Sequence, residues 1–444
     1  MNYRKTIAAL CLAASAASAP ALADPATDAL AKQVDELAKQ VKALQDQVKK
    51  LQSQNEALAN QMEGQQPATT QATAQSSQPA SSSPVVATLP GVLARASLFG
   101  YGEINYNHYL HDPSATQADL RRAVFGIGYR FDDATRFVSE FEFEHAVTSA
   151  DDSGEAEVEQ FYIDHRFTSN VGMKAGLILI PSGLLNESHE PPRFYGVERN
   201  FVETAIIPST WREGGLAIYG NVADGLRWDA GVTTGFNINK WDFSSESEGR
   251  ESPLGSIHQE LQLASASDLA QYLALNYDGL PGFNVGASLF TGAVAQQQEN
   301  VTGHPRVTLW EAHSRWMPGA LDLQALYARG TISDTASLNL ANVGQPTAIP
   351  GAFYGWYLQG AYRVWKSGGM SLAPFARYER FNTAAGFAGL PMGLGVDPAP
   401  TEAVATFGAN FYLNPNVVFK ADYQRFATDT DKDRVDVGLG FMFY

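Results

Sequence analysis

Between residues 181 and 212 the sequence gathers charges of both signs around a stiff Pro191-Pro192 step: Glu187, His189, Glu190, Arg193, Glu198, Arg199, Glu203 and Arg212. Arginine offers a planar fork of donors that fits carboxylate or phosphate, and it stays charged at any physiological pH. Such a set makes neither a nucleophile nor an acid–base pair. It makes an electrostatic filter, if Arg193, Arg199 and Arg212 face acids such as Glu198 and Glu203 across a narrow gap. The plainer alternative is a solvated surface loop with ordinary ion pairs.

Similar charges recur along segments that alternate apolar with polar residues. Arg122, Arg136, Glu140, Glu142, Asp164, Arg166 and Arg227 occupy the polar side, as do Glu311, Arg315, Arg363, Arg377, Glu379 and Lys420. Asp229, Asp322 and Asp422 accompany them. Rings of charge in a water-filled lumen tune ion passage without tight binding. Taken singly, each such residue is as well explained by solvation of a wall and pairing between neighbouring strands.

Other chemistry is excluded or weak. Cys11 is the only cysteine and lies in the leader, so thiol catalysis, disulfides and cysteine-bound metals are excluded from the mature chain. No H-E-x-x-H, G-x-S-x-G or P-loop motif occurs, the eight histidines are scattered, and neither enzyme activity, cofactor nor metal is expected. Asp429, Asp431 and Asp433 imitate the start of a calcium loop, but Arg434 and Gly440 stand where it needs Gly and Glu. Acidic groups at Asp151, Asp152, Glu155 and Glu157, and at Glu246, Glu248 and Glu251, read as solvated outer-loop charge.

The elements that must position the charges are strands. In Thr135 to His145, Phe137, Phe141 and Phe143 share one face, and Arg136, Glu140, Glu142 and Glu144 share the other. Val307 to Trp316 sets Trp310, Ala312 and Trp316 against Glu311, His313 and Arg315. Leu226 to Phe236 sets Trp228, Ala230, Val232 and Phe236 against Arg227, Asp229 and Thr233. One face for lipid and one for water is the pattern of a transmembrane barrel. Seven short turns alternate with eight longer polar segments, the longest being 181–212, which implies about sixteen antiparallel strands. An even, closed count also leaves no sheet edge in hydrocarbon. The last strand carries Val435, Val437, Leu439, Phe441 and Phe443 on its outer face, with Tyr444 one residue beyond.

Ahead of the barrel, assigned to 90–444, come three other regions. Residues 1–23 form a secretory signal peptide: Arg4 and Lys5, then an apolar run, then Ala21-Leu22-Ala23. Residues 24–64 hold a coiled coil whose seam is Leu30, Val34, Leu37, Val41, Leu44, Val48, Leu51, Asn55, Leu58 and Met62. Such a helix reaches roughly 50 Å at ~1.5 Å per residue. Val at a, Leu at d and the buried Asn55 lean towards two strands. Residues 65–89 are a flexible linker without a charge. Removing the leader's two basic residues leaves 29 basic against 47 acidic side chains, which argues against nucleic acid as partner.

Several segments resemble the phosphate-selective porin O and P family. Leu120 to Gly126 is similar to its early RRA-x-x-G strand, and Gly176 to Pro181 with Glu198-Arg199 to its G-x-x-x-x-P segment and E-R pair. Gly355 to Tyr362 and Ala376 to Glu379 are similar to its late strands. The resemblance implies a homotrimer of sixteen-stranded barrels in the outer membrane, in contact with lipid and lipopolysaccharide, the coil lying in the periplasm. It implies passive diffusion of small hydrophilic solutes and ions. Members selective for phosphate use basic ladders and a lysine cluster; residues 90–444 hold 19 Arg and only Lys174, Lys240, Lys366, Lys420 and Lys432, against 40 acids. Anion or phosphate preference, a sugar-specific channel, and a plugged barrel serving as anchor or periplasmic tether remain alternatives. So does contact of the coil with peptidoglycan or another periplasmic partner.

Overall fold

The computed structural model describes Lys39, Lys42, and residues 94–149, 152–387, 390 and 398–444. The chain divides into two units, Met1–Val85 and Val86–Tyr444. Lys39 and Lys42 are helical and exposed. The signal peptide, the linker and the other coiled-coil positions, every seam residue included, lie outside the described residues. No described helix is long and apolar enough to cross a membrane.

The second unit is one closed antiparallel sheet. Its strands are β1 (Ala96–Tyr109), β2 (Gln117–Arg130), β3 (Thr135–Glu144), β4 (Ala156–Arg166), β5 (Val171–Leu179) and β6 (Arg212–Ala223). Then come β7 (Leu226–Thr233), β8 (Ala270–Leu280), β9 (Phe283–Ala293), β10 (Arg306–Trp316), β11 (Leu321–Ser333) and β12 (Ala352–Tyr362). The last are β13 (Trp365–Ser367), β14 (Met370–Gly386), β15 (Glu402–Asn414), β16 (Val417–Phe426) and β17 (Arg434–Phe443). β12 and the three-residue β13 both pair with β14, so β13 continues the wall of β12 and the barrel has sixteen staves. β1 pairs with β17, from Gly100 opposite Phe443 to Tyr109 opposite Arg434, and this closes the sheet. The sixteen-strand expectation is met.

Local chemistry explains the short connections. Asp132 turns the chain between β2 and β3: its Oδ1 accepts from the backbone N–H of Ala134 at 2.8 Å and of Thr135 at 2.7 Å. These bonds hold its carboxyl below the usual aspartate range. Gly225 and Gly282 supply left-handed φ values of 78° and 72° at two other turns, where a side chain is strained. Along each strand, exposed apolar residues alternate with inward ones, as with Phe125 and Ile127 on β2 or Leu273 and Leu275 on β8.

Two expectations need correction. The inner face is not polar throughout: towards the long loops, inward Val307, Leu309, Leu326, Ala328, Ile332 and Phe353 join one apolar cluster with residues of segments 180–211, 234–269 and 294–305. Phe236 belongs to that cluster, packing against Trp211 and Phe290, and not to the lipid-facing stripe of β7, which ends at Thr233. The cause is visible in the strands: Leu309-Trp310 and Leu326-Tyr327 are apolar on both faces.

Candidate functional site: a charged segment across the lumen

Segment 180–211 leaves β5 and runs inside the barrel to the opposite wall. Glu198 accepts from Asn105 and Asn107 of β1 at 3.2 and 3.3 Å. The backbone N–H of Val197 donates to Asp422 of β16 at 2.6 Å, and that of Phe201 to Glu379 of β14 at 2.7 Å. Asn410 of β15 donates to the Phe194 carbonyl at 3.0 Å. Inward glycines make the room: a Cβ on Gly440 would lie 2.3 Å from Pro191, and one on Gly438 3.0 Å from Val197. Inward-facing charges of the wall thus bind the segment's backbone, which would otherwise be left unsatisfied in the interior.

The five residues expected at the constriction take different places. Glu203 is a clamp: its carboxylate accepts from the N–H groups of Leu184 and Leu185 at 2.6 and 2.7 Å, from Asn200 at 2.8 Å and from Tyr357 at 2.9 Å. Burial raises its pKa, while Asn200 and the Leu185 N–H oppose the rise. Arg199 is buried and donates to Ser209 at 2.5 Å and Thr210 at 2.8 Å, without a carboxylate partner among the described residues. Burial, then Arg122 nearby, lowers its pKa. Arg212 pairs outside the segment, with Glu157 at 2.5 Å and Glu260 at 2.9 Å. Arg193 is exposed. Burial works against the Glu198 carboxylate, but Arg121, Arg434 and Asn107 outweigh it and hold its pKa below the usual range.

The expected row of arginines facing Glu198 and Glu203 across a gap is therefore not formed. Glu203 is consumed by two backbone donors of its own segment with Asn200 and Tyr357, Arg199 answers hydroxyls, Arg212 answers Glu157 and Glu260, and Arg193 is exposed. Arg121 and Arg434, which sequence spacing did not single out, face Glu198 instead.

The wall residues sort into pairs. Arg122 meets Glu103 at 2.8 Å, Glu142 at 3.1 Å and Glu144 at 3.4 Å. Arg136 meets Asp164 at 2.7 Å, Arg315 meets Asp322 at 2.7 Å, and Arg377 meets Glu379 at 2.9 Å. Glu140 accepts from Gln160, and Glu311 sits 2.8 Å from His313. Arg166 and Arg227 lie exposed at the short-turn end, Arg227 meeting Asp278 at 3.0 Å. Arg363 falls one residue past β12 and is exposed. The Lys420 ammonium has no hydrogen-bond partner among the described residues and stands 3.4 Å above the Phe194 ring.

Sequence spacing also missed a buried cluster. Donor atoms of Glu140, Glu159 and His189 lie within 4.8 Å of one another. His189 Nδ1 bonds to the Asn186 carbonyl at 2.9 Å, and Tyr101 donates to Glu159 at 3.2 Å. The donor set suits a cation, but Arg199, Arg122 and Arg212 stand close enough to depress His189, after burial itself, and they oppose one. No pattern in the sequence brings His189 to β3 and β4; only the inward course of the segment does.

Two of the open cavities are rich in charge. One of about 340 Å³ lies between the segment and β1, β2 and β17, lined by Arg121, Arg122, Arg199 and Arg434 and by Glu103, Asp119 and Glu198. The other, about 290 Å³ near the short turns, is lined by Arg136, Arg166, Lys174 and Arg227 and by Asp164, Glu187 and Asp229. Each sets four cations against three carboxylates, in a chain whose net formal charge is −16.

Comparison with known proteins agrees with this architecture. The family model described as phosphate-selective porin O and P matches residues 281–443. An uncharacterized protein of Aquifex aeolicus (strain VF5) is 32% identical over 359 residues, covering 78% of this chain and 80% of that protein. Among solved structures, OmpF of Salmonella typhi in complex with daunomycin superposes with a TM-score of 0.53. It is 14% identical and covers 78% of this chain and 97% of its own, a likeness of fold.

Proposed function

The chain belongs to the phosphate-selective porin O and P family, and from that premise we propose that it is an outer-membrane channel for small hydrophilic solutes with a modest preference for anions. One observation supports the preference: two charged cavities of the lumen each set four cations against three carboxylates although the chain as a whole is strongly acidic, while a third, about 220 Å³ beside the β2–β3 turn, is balanced. In a narrow lumen with low-dielectric walls, local charge acts on a passing ion at close range, while distant loop acids are screened within about 8–10 Å. The segment 180–211 serves as the constriction. Its bonds to β1, β14, β15 and β16 favour a fixed baffle over a mobile lid. No step of the function calls on a nucleophile.

The working unit on this reading is a homotrimer, exported by the signal peptide, with the coiled coil in the periplasm and the linker between them. Lipid and lipopolysaccharide surround the barrel.

Reconstitution into a planar bilayer under asymmetric salt tests the proposal. Stepwise conductance is expected, with a reversal potential displaced towards that of the anion. A silent bilayer would favour the plugged anchor, and a cation-directed reversal potential would remove the anion preference alone.

A further inference from the structure

The lipid-facing side carries a repeat that the channel does not use. Tyr327-x-Arg329 on β11, Tyr378-x-Arg380 on β14 and Tyr423-x-Arg425 on β16 each put a tyrosine and an arginine on the outer face. Tyr106-x-His108 on β1 repeats the pattern with histidine. All four strands run from the short-turn end towards a long loop, and they alternate around one side of the barrel through β12, β15 and β17. Arg329, Arg380 and Arg425 are exposed, and none has a hydrogen bond or ion pair to a described residue.

The register places them on one level. Squarely across the ladder from Arg329 lie Tyr354 and then Asn382, two residues beyond Arg380. From Arg380 the same step passes Ala403 to Ala427, two residues beyond Arg425. His108 stands across Val435 from Tyr423, again two residues below Arg425. The ladder itself climbs in that sense: Asp322, one residue from the foot of β11, leads through Ala361 to Phe375, five residues above the foot of β14. With about 3.3 Å per residue and ~4.8 Å between strands, a drop of two residues over two strands follows a line inclined by roughly 35°, the tilt of strands in such barrels. The side chains therefore form a horizontal belt with a spacing of about 12 Å. Arg329 is eight residues above Leu321. That puts the belt about 20 Å above the strand feet, near the outer edge of an apolar band of roughly 25 Å.

Aromatic residues floor the belt: Arg329 lies directly between Trp310 and Tyr354, and Arg380 beside Trp356. Ala403 and Ala405 leave a shallow gap between Arg380 and Arg425. An unpaired guanidinium in hydrocarbon is costly, yet at this height it meets headgroups, where its fork fits phosphate. We propose that this belt binds anionic, phosphate-bearing lipid headgroups of the outer leaflet. The proposal rests on the outer face of the barrel meeting lipid, as the porin reading has it.

The test compares the full chain with R329Q/R380Q/R425Q in detergent, each incubated with phosphatidylglycerol, with phosphatidylcholine, or with inorganic phosphate. Organic phosphorus retained per protein after washing is measured, beside single-channel conductance of the same preparations. Phosphatidylglycerol retention at least threefold above the variant is expected, with no such difference for phosphatidylcholine and with conductance unchanged. If the triple variant does not assemble, Arg380→Gln alone is expected to lose part of the retained lipid. Equal retention by variant and parent overturns the proposal, as does displacement of phosphatidylglycerol by inorganic phosphate at matched concentration. Efficient cross-linking between copies through Arg380→Cys in the membrane also overturns it, since the belt would then be an interface between protomers. Normal conductance alongside any of these results would leave the channel reading standing.

Discussion

The inner face of the barrel is two surfaces. Along β14 to β4, through the closing seam, inward positions carry charged or polar side chains that hydrogen-bond the crossing segment: Asn107, Glu379, Asn410 and Asp422 are representative. Along β8 to β12, towards the long loops, the same alternation delivers Phe290, Leu309, Leu326 and Phe353 into a dry cluster around Trp211. The backbone is alike in both. What differs is whether the interior partner is water and a polar chain or other apolar side chains. A strand can thus line a channel over one half of its length and a protein core over the other.

The largest effect should come from the dry side. Phe290→Ala removes a fully buried ring that touches both Trp211 and Phe236. A loss of about 3–5 kcal/mol is the usual scale for such a cavity. Thermal unfolding in detergent should show a clear drop, with ion selectivity unchanged. A selectivity shift as large as the loss of stability would mean that the cluster lines the conducting path after all.

Next comes the joint between the two surfaces. Glu203→Ala strands four donors, those of Leu184, Leu185, Asn200 and Tyr357, of which buried unsatisfied groups cost roughly 1–3 kcal/mol each. The segment should loosen from β12, and single-channel conductance should rise. Unaltered conductance would show that the segment's other bonds fix it without the clamp.

The arginines of the wet side give a smaller effect. Arg199→Ala removes one buried cation from the 340 Å³ cavity, leaving three cations against three carboxylates. The reversal potential in asymmetric salt should move towards the cation. Arg193→Ala, exposed and unneighboured by the clamp, should move it less; a larger response at Arg193 would relocate the narrowest point.

The smallest effect is expected from the far end of the chain. Removing residues 24–64 should leave insertion and conductance intact and lower the temperature at which the oligomer dissociates. Equal oligomer stability with and without the coil would deny it any part in assembly.

The comparison also separates what could be read in advance from what could not. Strand positions follow from alternation with period two and from turn chemistry, both local, so the number of staves and the inward side of β3, β7 and β10 were legible in Arg136, Asp229 and Glu311. The long segment's place inside the lumen was legible as a length and a charge content. Its contacts were not. Glu203 and Arg199 look interchangeable with any surface pair until the backbone that Glu203 caps, and the hydroxyls that Arg199 reaches, are brought to them from elsewhere in the chain. The dry cluster left a trace, two-faced apolarity at Leu309-Trp310 and Leu326-Tyr327, which a rule of lipid outside and water inside passes over. Gly438 and Gly440 left another, as inward positions of β17 without side chains.

Those two glycines bear on the order of assembly. The ladder between β1 and β17 joins residues more than 320 positions apart in sequence, from Tyr109 with Arg434 to Gly100 with Phe443. Contacts of such separation carry a large loop-closure entropy and are slow to form. Once that seam is zipped, the barrel offers the crossing segment no lateral entrance. Pro191 and Val197 rest against the bare backbone of β17, so closure of the seam and seating of the segment are coupled. The baffle then acts as an internal mandrel. It pre-shapes the seam it will occupy, and a Gly440→Val chain would be expected to stall as an open, unclosed sheet during biogenesis instead of maturing into a leaky pore.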